Sequence, residues 1–304
     1  MAFLRAFGSY VPARVVTNAE LAARLGCETD WILNASGISE RRYAETESVA
    51  DLATRAAEDC LARAMTRQVG MVIVSSGSSP RRFPGPAAEI AAKMGFAGVP
   101  ALDVPMASAG SLFGLALAAQ CASSAGPVLV IAAEKMSTAI ADDKNTAILF
   151  GDGAGACLVD PKEGGAEIVR WDLHSDGTYS EALRLEFGAP IHMDGYTVIL
   201  QASRKIPAAI REVLEHTSTP ASAVGTFLMH QANQNLIVRI AKALDVAPEK
   251  FFSNIARYGN TSSASMLIAA SEWHAQSGFR AGEPVVFAGF GAGFHWGALL
   301  ALGL

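Results

Sequence analysis

The chain has 304 residues, 51% hydrophobic and 17% charged, with a formal net charge of −5. This describes a core-rich globular protein long enough for two packed halves. The acidic balance, with no Lys/Arg run longer than Arg81–Arg82, excludes the basic footprint of a nucleic-acid binder. Cys27, Cys60, Cys121 and Cys157 are widely spaced and form no Cys-x-x-Cys pair, so neither a metal site nor a disulfide framework is indicated. The N-terminus is broken by Arg5 and Pro12, and no stretch of about 18 uncharged apolar residues occurs, so a cytoplasmic protein with no membrane partner is expected.

The first buried strand is predicted at 70–76, GMVIVSS. In DVPMASAGSLFGL, Asp103 to Met106 can end a second strand, and Ser108 to Gly110 turn into a helix carrying Leu112, Phe113, Leu115 and Leu117. Ser108 then sits at or near a helix N-terminus. Serine is a common N-cap there, but the unpaired N–H groups and positive dipole end would also favour an oxyanion or a nucleophile. PVLVIAA at 127–133 is the next strand. GDGAGA at 151–156 lacks a following helix and is no dinucleotide fingerprint. DPKEGGAEI at 160–168 has the content of a connection, and divides the chain into halves 1–162 and 163–304.

In the second half, PAAIREVLEHT and NLIVRIAKALDV have helical apolar spacing, and TFLM at 226–229 reads as a strand. His230 follows it directly, trailed by Gln231, Asn233, Gln234 and Asn235, as in a site-forming loop or around a satisfied loop histidine. RYGNTSSAS places Asn260 between a glycine and a small-residue helix start, which by itself is an ordinary turn and cap. PVVFAG at 284–289 is a strand, and GFGAGFHWG is a glycine loop between two apolar strands, suited to close backbone approach rather than phosphate binding. Of the remaining histidines only His295, in that loop, stands out.

Taken in order, TDWILNASGISERRYA, RRFPGPAAEIAAKMG, NTAILFGDGAGACLV, HMDGYTVILQASRKIPAAIREVL, HQAN, YGNTSSAS and GFGAGFHWG resemble the β-ketoacyl-ACP synthase III family of the thiolase superfamily nearly end to end. The resemblance implies a five-layer αβαβα sandwich of two similar halves, a homodimer, and a site at the bottom of a channel. It implies Ser108, His230 and Asn260 as catalytic residues, with the Ser108 and Gly293 N–H groups as the oxyanion hole. It further implies that Phe83 is lent to the partner's acyl pocket, and that Trp31, Lys144 and Asn233 bind coenzyme A or its pantetheine arm. No bound cofactor is expected: acyl-CoA or a phosphopantetheine-linked acyl carrier protein is the substrate and partner.

The family's usual nucleophile is cysteine, and here it is Ser108. A helix N-terminus supplies at most about 2 kcal/mol, roughly 1.5 pKa units, which helps ionise a thiol but not an alcohol. Ser108 must lose its proton as it attacks, and His230 is the only motif residue able to take it. Ala35, Lys144 and Asn235 stand where the family has arginines, and Tyr196 where it has asparagine, which weakens bidentate phosphate recognition and turns the expectation towards a carrier-protein donor. The leading expectation is therefore an acyltransferase of fatty-acid-related or polyketide metabolism that passes the acyl group to an oxygen, nitrogen or sulfur acceptor. The alternatives are a decarboxylative Claisen-condensing synthase, with native serine or a Cys-to-Ser replacement, and a non-catalytic partner subunit in a heterodimer with a homologue.

Overall fold

A computed structural model describes the whole chain, Met1–Leu304. The first half runs β1 (Phe3–Tyr10), β2 (Arg14–Thr17), α1 (Asn18–Leu25), α2 (Thr29–Ser36), β3 (Glu40–Tyr43), α3 (Val49–Ala64), β4 (Met71–Ser75), α4 (Pro86–Lys93), β5 (Ala101–Val104), α5 (Gly110–Ala125), β6 (Val128–Lys135) and β7 (Asp152–Asp160). The second runs β8 (Ala166–Ser175), β9 (Leu183–Arg184), β10 (His192–Met193), α6 (Gly195–His216), β11 (Thr226–Met229), α7 (Gln234–Leu244), α8 (Ile255–Tyr258), α9 (Ser265–Gln276), β12 (Pro284–Gly291) and β13 (His295–Gly303).

Nine strands hydrogen-bond in the order β11-β12-β13-β8-β1-β7-β6-β4-β5. The two ends repeat one pattern. In the first half β1, β7 and β6 are successively antiparallel and β6, β4 and β5 parallel; in the second β8, β13 and β12 are antiparallel and β12 and β11 parallel. The halves join where β1 meets β8 through only Phe3↔Glu167 and Leu4↔Ala166. The divide expected after residue 162 falls in the turn between β7 and β8.

Strand alternation explains the layers. In β6, Val128, Val130 and Ala132 join a core shared with Leu112 and Leu115 of α5 and Leu267 and Ile268 of α9, whereas Leu129, Ile131 and Ala133 join the core under α3. α5 touches β4, β6 and β7 on one side and β8, β12 and β13 on the other. A helix covered on both sides must be apolar all round, and GSLFGLALAAQCASSA has no charged residue. α6 and α7 cover the outer face of the second half over a third core around Phe227, Val286 and Leu300. The result is the αβαβα sandwich, with its two central helices starting at the junction of the halves. No helix is long and apolar enough to cross a membrane.

Candidate active site

Ser108 lies in the turn from β5 into α5, buried, with φ +63°, a left-handed conformation unusual for a residue with a Cβ. The turn is clamped. Ala109 N–H donates to the Ala107 carbonyl at 2.7 Å, and the Ser75 hydroxyl donates to the Met106 carbonyl at 3.0 Å. A Cβ on Gly110 would lie 1.8 Å from Ser75 Oγ, and one on Gly291 only 2.1 Å from the Ala107 carbonyl oxygen. The capping reading of Ser108 is thereby corrected. The left-handed turn moves the helix start one residue on, so Ala109 is the N-cap and no side chain caps α5. Gly291→Ala is expected to cost about 1–3 kcal/mol by overpacking against this turn, read as a lower thermal midpoint.

His230 leaves the end of β11, its N–H donating to Ala288 at 2.9 Å. Its Nδ1 lies 2.7 Å from the Ser265 hydroxyl, which also accepts the Gln231 N–H at 3.0 Å, and Phe290 packs edge-on against the ring. Burial drives the imidazole pKa down to about 3, only partly opposed by a backbone hydrogen bond to Ser262. His230 is therefore neutral at rest. No carboxylate partners it, in contrast to a Ser-His-Asp triad.

Asn260 is pinned by backbone bonds, its N–H to Leu149 at 2.8 Å and its carbonyl from Gly151 at 3.0 Å. Its Oδ1 accepts the Ser262 N–H at 2.9 Å, which fixes the amide orientation and leaves Nδ2 as a free donor. Ser108, His230, Asn260 and Ser262 line one cavity of about 90 Å³, walled by apolar side chains including Leu149, Ile191, Val198 and Phe290. The loop that leads into β13 lines the cavity through Ala292 and not through Gly293, whose φ of +142° and approach to the His295 ring, 2.1 Å from a would-be Cβ, demand glycine. Its N–H makes no bond within the chain. The Ser108 N–H, expected as the other oxyanion donor, is already engaged: it donates to Ser262 Oγ at 3.0 Å.

The rim residues are less convergent. Asn233 lines the cavity, but its amide is occupied as the N-cap of α7, accepting the Asn235 N–H and donating to the Ala35 carbonyl at 2.9 Å. Asn235 likewise donates to the Asn34 carbonyl at 2.9 Å, so this position clasps α2 to α7. Lys144 Nζ donates to the Gly26 carbonyl at the end of α1. Trp31 is exposed on α2, and Phe83, 86% exposed before α4, does not line its own chain's cavity. Sequence reasoning missed Glu134, fully buried at the end of β6. It accepts hydrogen bonds from Ser78 N–H and Oγ, Gly77 N–H and Ser263 Oγ, tying the loop after β4 to the segment carrying Asn260. Its signal was a lone acid closing the apolar run PVLVIAAEK.

A family model described as 3-oxoacyl-[acyl-carrier-protein (ACP)] synthase III matches residues 102–177, and one for the C-terminal part of the same proteins matches 214–302. The β-ketoacyl-[acyl-carrier-protein] synthase III of Aquifex aeolicus is 35% identical over 298 residues, covering 96% of each chain. The crystal structure of the Aquifex aeolicus VF5 3-oxoacyl-[acyl-carrier-protein] synthase III superposes with a TM-score of 0.96 at 33% identity, covering 99% of this chain and 100% of that one. The priming β-ketosynthase of the R1128 polyketide pathway superposes at 0.92 with 30% identity, over 100% of this chain and 96% of that one.

Proposed function

Because the chain belongs to the β-ketoacyl-[acyl-carrier-protein] synthase III family, we propose that it takes an acyl group from a pantetheine thioester onto Ser108 and joins it to a carbon nucleophile made by decarboxylation. In the first step Ser108 Oγ bonds the acyl carbon, the C–S bond breaks, and the thiol leaves with the serine's proton, passed through His230. In the second a malonyl-type thioester loses CO2, its enolate carbon attacks the ester, and Ser108 is released with uptake of one proton.

One observation carries the choice of acceptor: a buried His230 with no carboxylate stands beside Asn260 with a free Nδ2 on the cavity of Ser108. An oxygen, nitrogen or sulfur acceptor would call on the weakly basic His230 a second time, after Ser108, whereas a neutral imidazole and a carboxamide are good donors to an enolate oxygen. Decarboxylation needs no base to create its nucleophile. The rim favours a carrier-protein donor, since Ala35 and Asn235 offer no charge and Lys144 serves an α1 carbonyl.

A second reading, transfer to an oxygen, nitrogen or sulfur acceptor, draws on Ser108 itself, because an oxygen ester is less activated than a thioester towards carbon attack. Loading the protein from acyl carrier thioesters, adding malonyl carrier protein and analysing products by mass spectrometry separates the two. A β-ketoacyl thioester is expected. Discharge of the Ser108 adduct only to hydroxyl, amine or thiol acceptors would establish the second reading instead.

A further inference from the structure

We infer that Arg41 is a positioning residue for Asn260: its guanidinium fixes the segment 148–151 to which the Asn260 backbone is bridged, and so holds Nδ2 where the enolate oxygen forms. The inference rests on the proposal of decarboxylative condensation. Arg41, in β3, is fully buried, yet its hydrogen bonds all end on neutral acceptors. Nη1 donates to the Val16 carbonyl at 3.3 Å and to Asn18 Oδ1 at 2.9 Å, and Nη2 donates to the Ile148 carbonyl at 2.8 Å. Burial lowers its pKa to about 10, which leaves it charged at neutral pH. A buried cation without a counter-ion is costly, and an apolar side chain of the same length would fill the space at less cost. What only the guanidinium fork does is grip three segments at once: β2, the start of α1 and the stretch ahead of β7.

The third of these segments is the seat of Asn260. Directly after the gripped Ile148 carbonyl, the Leu149 carbonyl accepts the Asn260 N–H and the Gly151 N–H donates to the Asn260 carbonyl, so Phe150 and Asn260 form an isolated parallel bridge. The Arg41 stem packs against both sides of that bridge: a Cβ on Gly151 would lie 3.1 Å from Arg41 Cβ, and one on Gly259 3.2 Å. The bridge sets where the Asn260 backbone sits, and the Ser262 N–H then sets how the amide turns. The Ser108 turn and His230 have other supports, the Ser75 hydroxyl for the first and the Ala288 carbonyl and Ser265 hydroxyl for the second. Releasing the Ile148 carbonyl therefore displaces the donor that meets the enolate and leaves the nucleophile and its base in place. A displacement of about 1 Å in such a group can cost about 10²-fold in rate.

Arg41→Lys keeps the charge and loses the fork, and Asn18→Ala removes one of the fork's three acceptors with Arg41 still in place. Intact-mass time courses with an acyl carrier thioester follow the loading of Ser108, and β-ketoacyl product from malonyl carrier protein follows the condensation. In Arg41→Lys the kcat of condensation should fall roughly 10–10²-fold with little change in the half-saturating concentration of malonyl carrier protein, while loading stays within about 2-fold of wild type. Asn18→Ala should show a smaller loss of the same kind. In chains carrying isotopically labelled asparagine, the Asn260 side-chain amide resonance, identified by its absence in Asn260→Asp, should shift or broaden in both variants, while those of Asn233 and Asn235 stay in place. Equal slowing of loading and condensation, condensation at the wild-type rate, an unmoved Asn260 amide, or Asn233 and Asn235 amides that move as far as it does would overturn the assignment. A wild-type chain that makes no β-ketoacyl product, with the Asn260 amide alone displaced in both variants, would sink the condensation proposal and leave Arg41 as the residue that positions Asn260.

Discussion

Ser108→Cys is expected to load acyl groups from thioesters roughly 10²–10⁴-fold faster than the wild-type chain, the range that a general base normally supplies and a thiol can largely forgo. Ser108→Ala should form no covalent adduct. The reason lies in the pairing of this nucleophile with this base. An alcohol must lose its proton during attack, and the only base on the cavity is a buried imidazole with a serine, not a carboxylate, on Nδ1. A thiol at the same turn ionises near neutrality with the help of the α5 dipole, so its loading should also depend less on His230. Time courses of intact mass for wild type, Ser108→Cys and Ser108→Cys/His230→Gln measure both effects. If the cysteine form loads no faster, proton removal is not what limits acylation, and the account of a slow serine is wrong.

The strands that the sequence revealed were those with unbroken β-branched runs: 70–76, 127–133, 226–229 and 284–289 are β4, β6, β11 and β12 to within two residues at either end. β7 was hidden by its glycines. In DGAGACLVD they serve helix packing, since a Cβ on Gly155 would sit 2.6 Å from Leu267 Cβ of α9, and a strand read by propensity is penalised for them. β1 and β8 were hidden by their polar residues: Arg5 of β1 pairs with Asp160 of β7, and Arg170 pairs with Asp172 within β8 where it runs beside β13.

The chemistry was legible as ordered motifs but not as a hydrogen-bond network. Nothing local says that Ser108 turns left-handed, because the strain is imposed by Gly291 and Ser75 from strands distant in sequence. SSAS after Asn260 reads as a cap, yet its three serines reach three different partners. Ser262 accepts from Ser108 N–H, Ser263 donates to Glu134, and Ser265 pairs with His230. Hydroxyls are short and versatile, so their partners are set by tertiary placement. The same holds for Asn233 and Asn235, whose amides look free to bind a ligand in sequence and are spent on the carbonyls of α2 in the fold.

His230→Gln should lower condensation on the order of 10²–10⁴-fold and should change the pH dependence of stability but not that of turnover. With the folded-state pKa near 3, His230 does not titrate between about pH 5 and 8, so wild-type turnover should show no inflection from it there. Unfolding returns the ring to its ordinary pKa of about 6.5, so below that pH the unfolded chain binds a proton that the folded chain refuses. Stability is therefore unaffected by His230 above about pH 6.5 and falls steadily as pH drops towards 3, by roughly 1.4 kcal/mol per unit, or about 2 kcal/mol by pH 5. The carboxylates held lowest, Asp51 and Asp176 at about 2, lose their stabilising contribution only at more acid pH, whereas burial also lowers His274 and His295, so it is the difference between wild type and His230→Gln over the interval from about 6.5 to 5 that isolates His230. Denaturant unfolding of wild type and His230→Gln at both ends of that interval should show the wild-type loss shrinking by this amount in the variant. An equal loss in both chains, or a turnover inflection near pH 6.5 that disappears with the histidine, would mean that His230 carries a proton in the folded site and acts there as an ordinary base.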